Sequence, residues 1–215
     1  PLLGVSVAGS ETAQPPGAAA PGPLPASVLP AGIRSRLVND VNGITMHVLE
    51  AGYEGSGRPG LLLVHGFPEL AYSWRKVMLP LAEAGYHVMA PDQRGYGRSG
   101  GTDVGFDDDL TPFSTLNRVR DMLALTSALG HRTLAGVVGH DFGSPVAAWC
   151  ARVSLSSRRE TMRITSATAG ASSTMNSVSC QLRHSSEAKR KVMVRLSRTM
   201  TSVVCTSCCE PDCTS

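Results

Sequence analysis

Asp141 stands at the centre of Gly139-His140-Asp141-Phe142-Gly143, a segment that we call the elbow. The two glycines would let the chain close a very tight turn between a strand and a helix. Such a turn exposes the aspartate side chain and leaves the Phe142 N–H free to donate to a developing negative charge. A carboxylate is ionised at neutral pH and needs no base before it attacks. The pattern therefore favours Asp141 as a nucleophile over an ordinary turn aspartate.

A second loop, His65-Gly66-Phe67-Pro68-Glu69, directly follows an apolar run. The backbone N–H of Phe67 is placed to be a second donor to an oxyanion. We expect His65, Gly66 and Pro68 to support this loop, with His65 bracing it and not acting as a base. The Phe67–Pro68 bond is open to either isomer.

Support for the site is also expected from two residues of the elbow and the helix after it. We interpret His140 as packing beside the elbow and Trp149 as core or pocket wall. In a third segment, Pro91–Ser99, Asp92 and Arg94 are expected to fix loop geometry and not to contact substrate.

These segments need strands before them and helices after them, and the apolar patterning supplies both. An Asn42-Gly43 dipeptide between two alternating runs predicts a hairpin. Pro80 lies inside the helical pattern Ala71–Ala84 and predicts a kink or a break just before it. The predicted strands are Arg36–Asp40, Ile44–Leu49, Gly60–Val64, Tyr86–Ala90 and Thr133–Val138, and the predicted helices are Ala71–Ala84, Ser114 to about Leu129, and Ser144–Val153. This order predicts an α/β fold with a mostly parallel sheet and an antiparallel N-terminal hairpin.

Composition divides the 215 residues into three parts. Residues 1–32 form a Pro/Ala-rich stretch that is expected to be a flexible extension. Residues 33–153 carry the α/β patterning. Residues 154–215 are rich in Ser, Thr, Arg and Cys, contain no aromatic residue, and carry no sustained period. We therefore predict irregular or disordered termini around one core.

The three loop segments together resemble those of the epoxide hydrolases of the α/β-hydrolase superfamily, over roughly residues 33–153. The resemblance implies a partial α/β-hydrolase fold without its cap. It also implies that Asp141 attacks an epoxide carbon and forms an alkyl-enzyme ester, with Phe67 and Phe142 as oxyanion donors. The loop His65–Glu69 favours this family over the haloalkane dehalogenases, which also use aspartate and remain an alternative.

The family's later catalytic groups have no clear counterpart in this sequence. No tyrosine follows Tyr96, and the one histidine beyond the elbow, His184, lies in the Ser/Thr-rich tail, as do the acids Glu187, Glu210 and Asp212. The abrupt change after Arg152 suggests translation in a shifted frame. We therefore expect little or no turnover, and a non-catalytic truncated core that acts through interactions remains a second alternative.

Other function classes find little support. Cys205, Cys208, Cys209 and Cys213 crowd into nine residues, which favours an accidental cluster over a metal site, and no cofactor is expected. The basic tail has no aromatic residue to stack on bases, so no nucleic-acid partner is expected. No apolar run could span a bilayer, and a cytoplasmic location is predicted. The expected partner is a small epoxide or related apolar substrate, with self-association possible through an exposed sheet edge.

Overall fold

The computed structural model of the chain describes residues 21–156 and four short segments, 163–168, 177–182, 190–195 and 202–207, with side chains through residue 153. Five strands and three helices make up the continuous part. The strands are β1 (Ile33–Val41), β2 (Ile44–Ala51), β3 (Gly60–Val64), β4 (His87–Pro91) and β5 (Leu134–His140). The helices are α1 (Arg75–Glu83), α2 (Thr115–Ala128) and α3 (Gly143–Ser156), and short 3₁₀ turns occupy Ala26–Val28, Ala71–Trp74 and Thr111–Phe113.

The sheet is mixed, as predicted. Its continuous part runs β1-β2-β4-β3-β5, with β3 parallel to both β4 and β5, and with β1, β2 and β4 paired antiparallel. Asn42 and Gly43 both have positive φ, 48° and 81°, between the paired residues Val41 and Ile44. This confirms the predicted hairpin, because a two-residue turn that follows the strand twist needs positive φ at both positions.

Two hydrophobic clusters cover the two faces of the sheet, because successive side chains of a strand point to opposite sides. Leu61 and Leu63 of β3 pack with α1, whereas Leu62 and Val64 pack with α2 and α3. All four side chains are buried. A strand covered on both faces therefore reads as a continuous apolar run, which is the pattern that the sequence carries.

The sequence predicted a kink or a break before Pro80, and of these the break is wrong, because α1 continues across Pro80. The predicted helix Ala71–Ala84 is instead divided earlier, where the 3₁₀ turn Ala71–Trp74 passes into α1. Proline removes only the N–H that would pair with the carbonyl of Lys76, an exposed residue. Burial of Val77, Met78 and Leu81 stabilises the helix against that loss.

The tail, predicted to be disordered, contains four strands in its described segments. These are β6 (Arg163–Thr168), β7 (Ser177–Leu182), β8 (Arg190–Arg195) and β9 (Ser202–Ser207). β9 pairs antiparallel with β5 and then with β6, while β7 and β8 form a separate pair. The edge of β5 is thus paired with β9. The division into extension, core and tail stays a prediction, as does self-association.

His184 and the cysteines Cys208, Cys209 and Cys213, which were predicted to form neither a catalytic base nor a metal site, lie outside the described residues. Only the backbone of Cys205, within β9, is described, and it pairs with Val138 of β5. None of the helices in the described ranges is both long and apolar enough to cross a membrane.

A buried ion pair ties the loop after β4 to α2. The Arg94 guanidinium donates from Nε and Nη2 to the two carboxylate oxygens of Asp121, at 3.0 and 2.7 Å, and Nη2 also donates to the carbonyl of Asn42. Arg94 is 7% exposed and Asp121 is 0% exposed. Arg94 therefore fixes the loop geometry, as the sequence predicted, because it joins the hairpin, the loop and the helix.

We expect Asp121→Ala to lower the free energy of unfolding by about 3 kcal/mol or more, because it leaves a buried guanidinium without its counter-charge. Urea unfolding followed by circular dichroism measures the loss. Asp107→Ala, which removes an exposed carboxylate, is the matched control and should change stability by less than about 0.5 kcal/mol. A loss for Asp121→Ala no larger than that of the control would contradict the assignment.

Candidate active site

The elbow is a strand, a tight turn and a helix, as the sequence predicted. β5 ends at His140, α3 begins at Gly143, and Asp141 between them has a φ of +50°. An L-residue rarely adopts this left-handed conformation, and aspartate tolerates it better than most residues. The turn is closed by the Ser144 N–H, which donates to the carbonyl of Asp141 at 2.9 Å.

Glycine is required at both flanks of the elbow because the backbone is packed against its neighbours. A Cβ on Gly143 would collide with the carbonyl oxygens of Val64 and His65 at the end of β3. A Cβ on Gly139 would lie 2.7 Å from the carbonyl carbon of Gly143 and 2.8 Å from the Ala147 side chain. The elbow can therefore approach the end of β3 only with hydrogen at these two positions.

The loop after β3 meets the elbow at Asp141. The Phe67 N–H donates to Asp141 Oδ1 at 2.9 Å, although 74 residues separate the two in sequence. A Cβ on Gly66 would lie 2.7 Å from the same Oδ1. The structure thus brings together Asp141, Gly66, Phe67 and Phe142. The Phe67–Pro68 peptide bond, left open by the sequence, is cis.

Two backbone donors shape the electrostatics of this carboxylate. Hydrogen bonds from the N–H groups of Phe67 and then Phe142 hold the pKa of Asp141 below its ordinary value. Hydrogen bonds to the charged form favour that form. The Asp141 side chain is therefore an anion throughout the neutral range, and both predicted oxyanion donors contact it.

His65 is buried within the loop after β3, 1% exposed. Its Nδ1 lies 2.9 Å from the Gly66 carbonyl, and its Nε2 lies 2.9 Å from the backbone N of Gln93. A carbonyl only accepts and a backbone N–H only donates, so the ring is neutral with its proton on Nδ1. Burial also lowers the pKa of His65 below its ordinary value. The bracing role of His65 stays a prediction.

Gln93 is a supporting residue that sequence reasoning missed. Its backbone donates to the His65 ring, and its side-chain amide donates to the His65 carbonyl. It thereby holds the loops after β3 and β4 together. No local pattern marks such a residue, because its partner lies 28 positions away.

Asp92 fixes the loop after β4 from a buried position. Its oxygens accept from His47 Nδ1 at 2.7 Å, the Ala71 N–H at 2.8 Å and the Arg98 N–H at 3.1 Å. Burial alone would raise the pKa of Asp92, but these donors outweigh it and lower the pKa. With its hydrogen bonds committed in this way, Asp92 orders the loop, as predicted, because the chain must bend to bring all three donors to the two carboxylate oxygens.

The remaining predicted site residues differ in exposure. His140 is 5% exposed beside Asp141, and its ring nitrogens have no hydrogen-bond partner among the described residues. Trp149, in the second turn of α3, is 45% exposed, with the Arg152 guanidinium 5.8 Å from its ring centre. Phe67 and Phe142 are 61% and 55% exposed, and Pro68 is exposed too. The carboxylate therefore lies among exposed apolar side chains.

Metal ligation has no geometric basis in the part of the chain that the structure describes. No group of three or more His, Cys, Asp or Glu side chains there could hold a metal ion. The chemistry available at the elbow is that of an ionised carboxylate with two backbone donors.

Comparison with known proteins places this geometry in a family. The model of a family described as alpha/beta hydrolase fold matches residues 59–176, which is more than half of the chain. Epoxide hydrolase A of Mycobacterium tuberculosis is 45% identical over 111 residues, or 52% of this chain and 32% of that protein. Epoxide hydrolase 3 of Siraitia grosvenorii is 41% identical over 108 residues, or 50% of this chain and 31% of that protein.

Among solved structures, an epoxide hydrolase from an endophytic Streptomyces is 43% identical and aligns with a TM-score of 0.49, over 58% of this chain and 34% of that chain. The chain spans about a third of the length of the curated relatives it matches. On the family model and the sequence relatives, the chain belongs to the alpha/beta hydrolase fold family, and within that family it is epoxide hydrolase-like.

Proposed function

We propose that the elbow is the nucleophilic centre of an epoxide hydrolase-like enzyme and that Asp141 opens a small epoxide by forming an alkyl-enzyme ester. One observation carries the proposal. The Asp141 carboxylate is presented on a left-handed turn and accepts the Phe67 N–H at 2.9 Å. The identity to epoxide hydrolases supports the substrate class.

The two carboxylate oxygens of Asp141 have different roles in the proposed reaction. Oδ1 is held by the Phe67 N–H, which leaves attack on the epoxide carbon to Oδ2. The new Oδ2–C bond forms as the ring C–O bond breaks, and the epoxide oxygen takes a proton from solvent. An anionic nucleophile needs no base for this step, since the pKa of Asp141 lies below its ordinary value.

The second step would be attack of water on the ester carbonyl carbon. That attack moves negative charge onto Oδ1, to which the Phe67 N–H already donates, and the Phe142 N–H also hydrogen-bonds the carboxylate. A preorganised pair of donors at the oxygen that gains charge is the arrangement of an oxyanion hole. Phe67 and Phe142 are therefore proposed as its two donors.

Hydrolysis of the ester also needs a base near neutrality to activate water. Among the residues around Asp141, His65 has both ring nitrogens committed to backbone partners and is not available as that base. His140 is proposed to pack beside the elbow. We therefore propose that this 215-residue chain forms the ester and releases diol slowly or not at all.

The surroundings of Asp141 favour an apolar substrate. Phe67, Phe142 and Trp149 present exposed aromatic surface, and each buried aromatic contact with a substrate would contribute hydrophobic free energy. An aryl epoxide is the class that this surface fits best. The predicted cytoplasmic location stays a prediction.

We expect the chain to gain one equivalent of an aryl epoxide such as styrene oxide on Asp141. Intact mass spectrometry should show an increase equal to the whole mass of the epoxide, because ring opening is an addition. Peptide mapping should place the adduct on Asp141. The adduct should persist for many minutes while little diol appears in solution.

Asp141→Asn should abolish this adduct, and Asp107→Asn, at an exposed loop position, should leave it unchanged. Mapping matters because cysteine thiolates also open epoxides. Burial raises the pKa of Cys150 to about 12, so that thiol should stay unmodified. Equal labelling of the wild type and Asp141→Asn would refute Asp141 as the nucleophile, and rapid multiple turnover would refute the stalled ester.

The pH dependence of this labelling has a defined sign. A lowered pKa keeps Asp141 ionised above about pH 5, so the rate of adduct formation should stay flat from about pH 8 to 5. It should fall only when the pH drops through the pKa of Asp141. A rate that falls between pH 7 and 6 would assign the nucleophile to another group.

Gly143→Ala should separate the elbow from its oxyanion donors. The added methyl group collides with the carbonyl oxygens of Val64 and His65, so the elbow must shift or the fold lose about 2 kcal/mol. We expect adduct formation to fall at least about tenfold in protein that remains folded by circular dichroism. Gly105→Ala is the matched control, because its Cβ makes only ordinary contacts with Asp108, at 3.5 Å and beyond.

The two alternatives make different predictions in the same assay. A haloalkane dehalogenase-like enzyme would form the Asp141 ester faster from a haloalkane and release halide. A non-catalytic core would form no adduct on Asp141 with either reagent.

A further inference from the structure

A cavity lies at the opposite end of the sheet from Asp141. It has a volume of about 540 Å³ and is formed where β3, β4 and β5 begin, with lining residues that include Arg34, Arg36, Arg58, Arg132, His87 and His131. β5 begins at Leu134 and ends at His140. At about 3.3 Å per residue the cavity is therefore roughly 20 Å from Asp141. Its chemistry is independent of the proposed epoxide chemistry.

One buried carboxylate organises the cavity. Glu50 is 0% exposed and accepts from Arg34 at 3.0 and 3.2 Å and from His87 Nε2 at 3.0 Å, with Arg36 at 3.5 Å. Burial alone would raise the pKa of Glu50, but His87, Arg34 and Arg36 together lower it to about 2. Glu50 is thus a fixed anion that is already neutralised by these partners.

The cavity carries more positive charge than Glu50 can balance. Arg58 gives one hydrogen bond, from Nη1 to the Ala82 carbonyl, and it forms no ion pair within the described residues. Arg132 is exposed and also forms no ion pair with any described residue. Glu50 is the one carboxylate that lines the cavity. Among the described residues, this surplus of cationic donors leaves the cavity suited to an anion.

His131 ends a chain of hydrogen bonds that begins at Glu50. When the His87 ring is neutral and donates its Nε2–H to Glu50, its Nδ1 accepts from His131 Nε2 at 2.7 Å. The remaining nitrogen of a neutral His131, Nδ1, is then an unprotonated acceptor. This nitrogen lies over Gly60, where a Cβ would come within 2.8 Å of it.

We propose that this cavity binds a small phosphate-type oxyanion between Arg58, Arg132 and His131. Guanidinium groups match the geometry of such an anion through parallel N–H donors. Binding also takes up a proton, because His131 Nδ1 must be protonated before it can donate to the anion. The proton is stabilised by the negative charge of Glu50, relayed through His87.

The sign of the pH dependence follows from the free state. Burial and the neighbouring His87 lower the pKa of His131, while Glu50 raises it. The other charged or titratable groups facing this region are Arg34, Arg36, Tyr53 and Glu54. A bound anion raises the His131 pKa, so affinity rises as the pH falls through the histidine range.

Isothermal titration of the full chain with sodium sulfate at constant ionic strength tests the proposal. Sulfate has the shape of phosphate and does not titrate in this range, so any pH dependence belongs to the protein. We expect one saturable site near pH 6 that is weaker near pH 7.5. Titrations in two buffers of different ionisation enthalpy should show uptake of a proton. Inorganic phosphate should displace the sulfate.

Arg58→Gln and Arg132→Gln should each weaken sulfate binding about tenfold, because each removes a charge-assisted hydrogen bond. His131→Gln should remove the pH dependence and the proton uptake. The glutamine amide can still donate to His87, and circular dichroism checks that the variant folds. Lys76→Gln, which removes an exposed charge from α1, is the matched control and should bind like the wild type.

Three outcomes would overturn the proposal. The first is no saturable binding of sulfate up to about 10 mM near pH 6. The second is equal weakening in Arg132→Gln and Lys76→Gln, which would mean diffuse charge and no site. The third is that the cations only stabilise the C-terminus of α2, which adjoins the cavity and whose dipole favours nearby basic residues. If Arg132→Gln lowers the melting temperature but leaves sulfate binding unchanged, these cations serve the helix alone.

Discussion

Gly143 lies so close to the carbonyl oxygens of Val64 and His65 that no side chain can stand between them. That backbone contact sets the distance between the elbow and the loop after β3. Only at that distance can the Phe67 N–H reach Asp141 Oδ1 at 2.9 Å. The position of Asp141 therefore depends on Gly143 having a hydrogen where other residues have a Cβ. The remaining interactions hold the elbow and the loop after β3 at this distance.

Those interactions are buried and mostly involve backbone atoms. His65 and Gln93 join the loops after β3 and β4, and Asp92 gathers donors from three separate segments. Arg94 and Asp121 then attach the loop after β4 to α2. Among these side chains, within the described residues, only Gln93 Oε1 is buried without a hydrogen-bond partner, so burial adds rigidity at small cost in desolvation. Conversely, Phe67 and Phe142 point apolar surface outward, where a substrate could be desolvated.

The two ends of the sheet carry opposite chemistry. At the carboxyl ends of β3 and β5, an anionic Asp141 is stabilised by backbone dipoles among exposed aromatic rings. At the amino ends of β3 and β5, the buried Glu50 forms hydrogen bonds with arginine and histidine side chains that line a polar cavity. Parallel strands make this separation possible, because each strand delivers its first residues to one edge and its last residues to the other.

Local sequence signals predicted much of the core but missed what depends on packing. The Asn42-Gly43 turn, the apolar strand Gly60–Val64 and the elbow were all readable, since each depends on the conformational preferences of neighbouring residues. The break predicted at Pro80 was wrong, because that prediction assumed an isolated helix. Burial of Met78 and Leu81 stabilises α1 across Pro80. The tail strands had no periodic apolar signal, and the backbone pairing of β9 with β5 is decided by the sheet.

The sequence by itself determined the proposed nucleophile, an aspartate between glycines after a buried strand, because the turn and the ionisation of a carboxylate are properties of the residues themselves. The tertiary structure decided which atoms meet it. Phe67 is 74 residues from Asp141, and the Glu50–His87–His131 chain spans three separate segments. Such contacts depend on the order of strands in the sheet, and that order follows from the packing of the whole core, which no single stretch of sequence specifies.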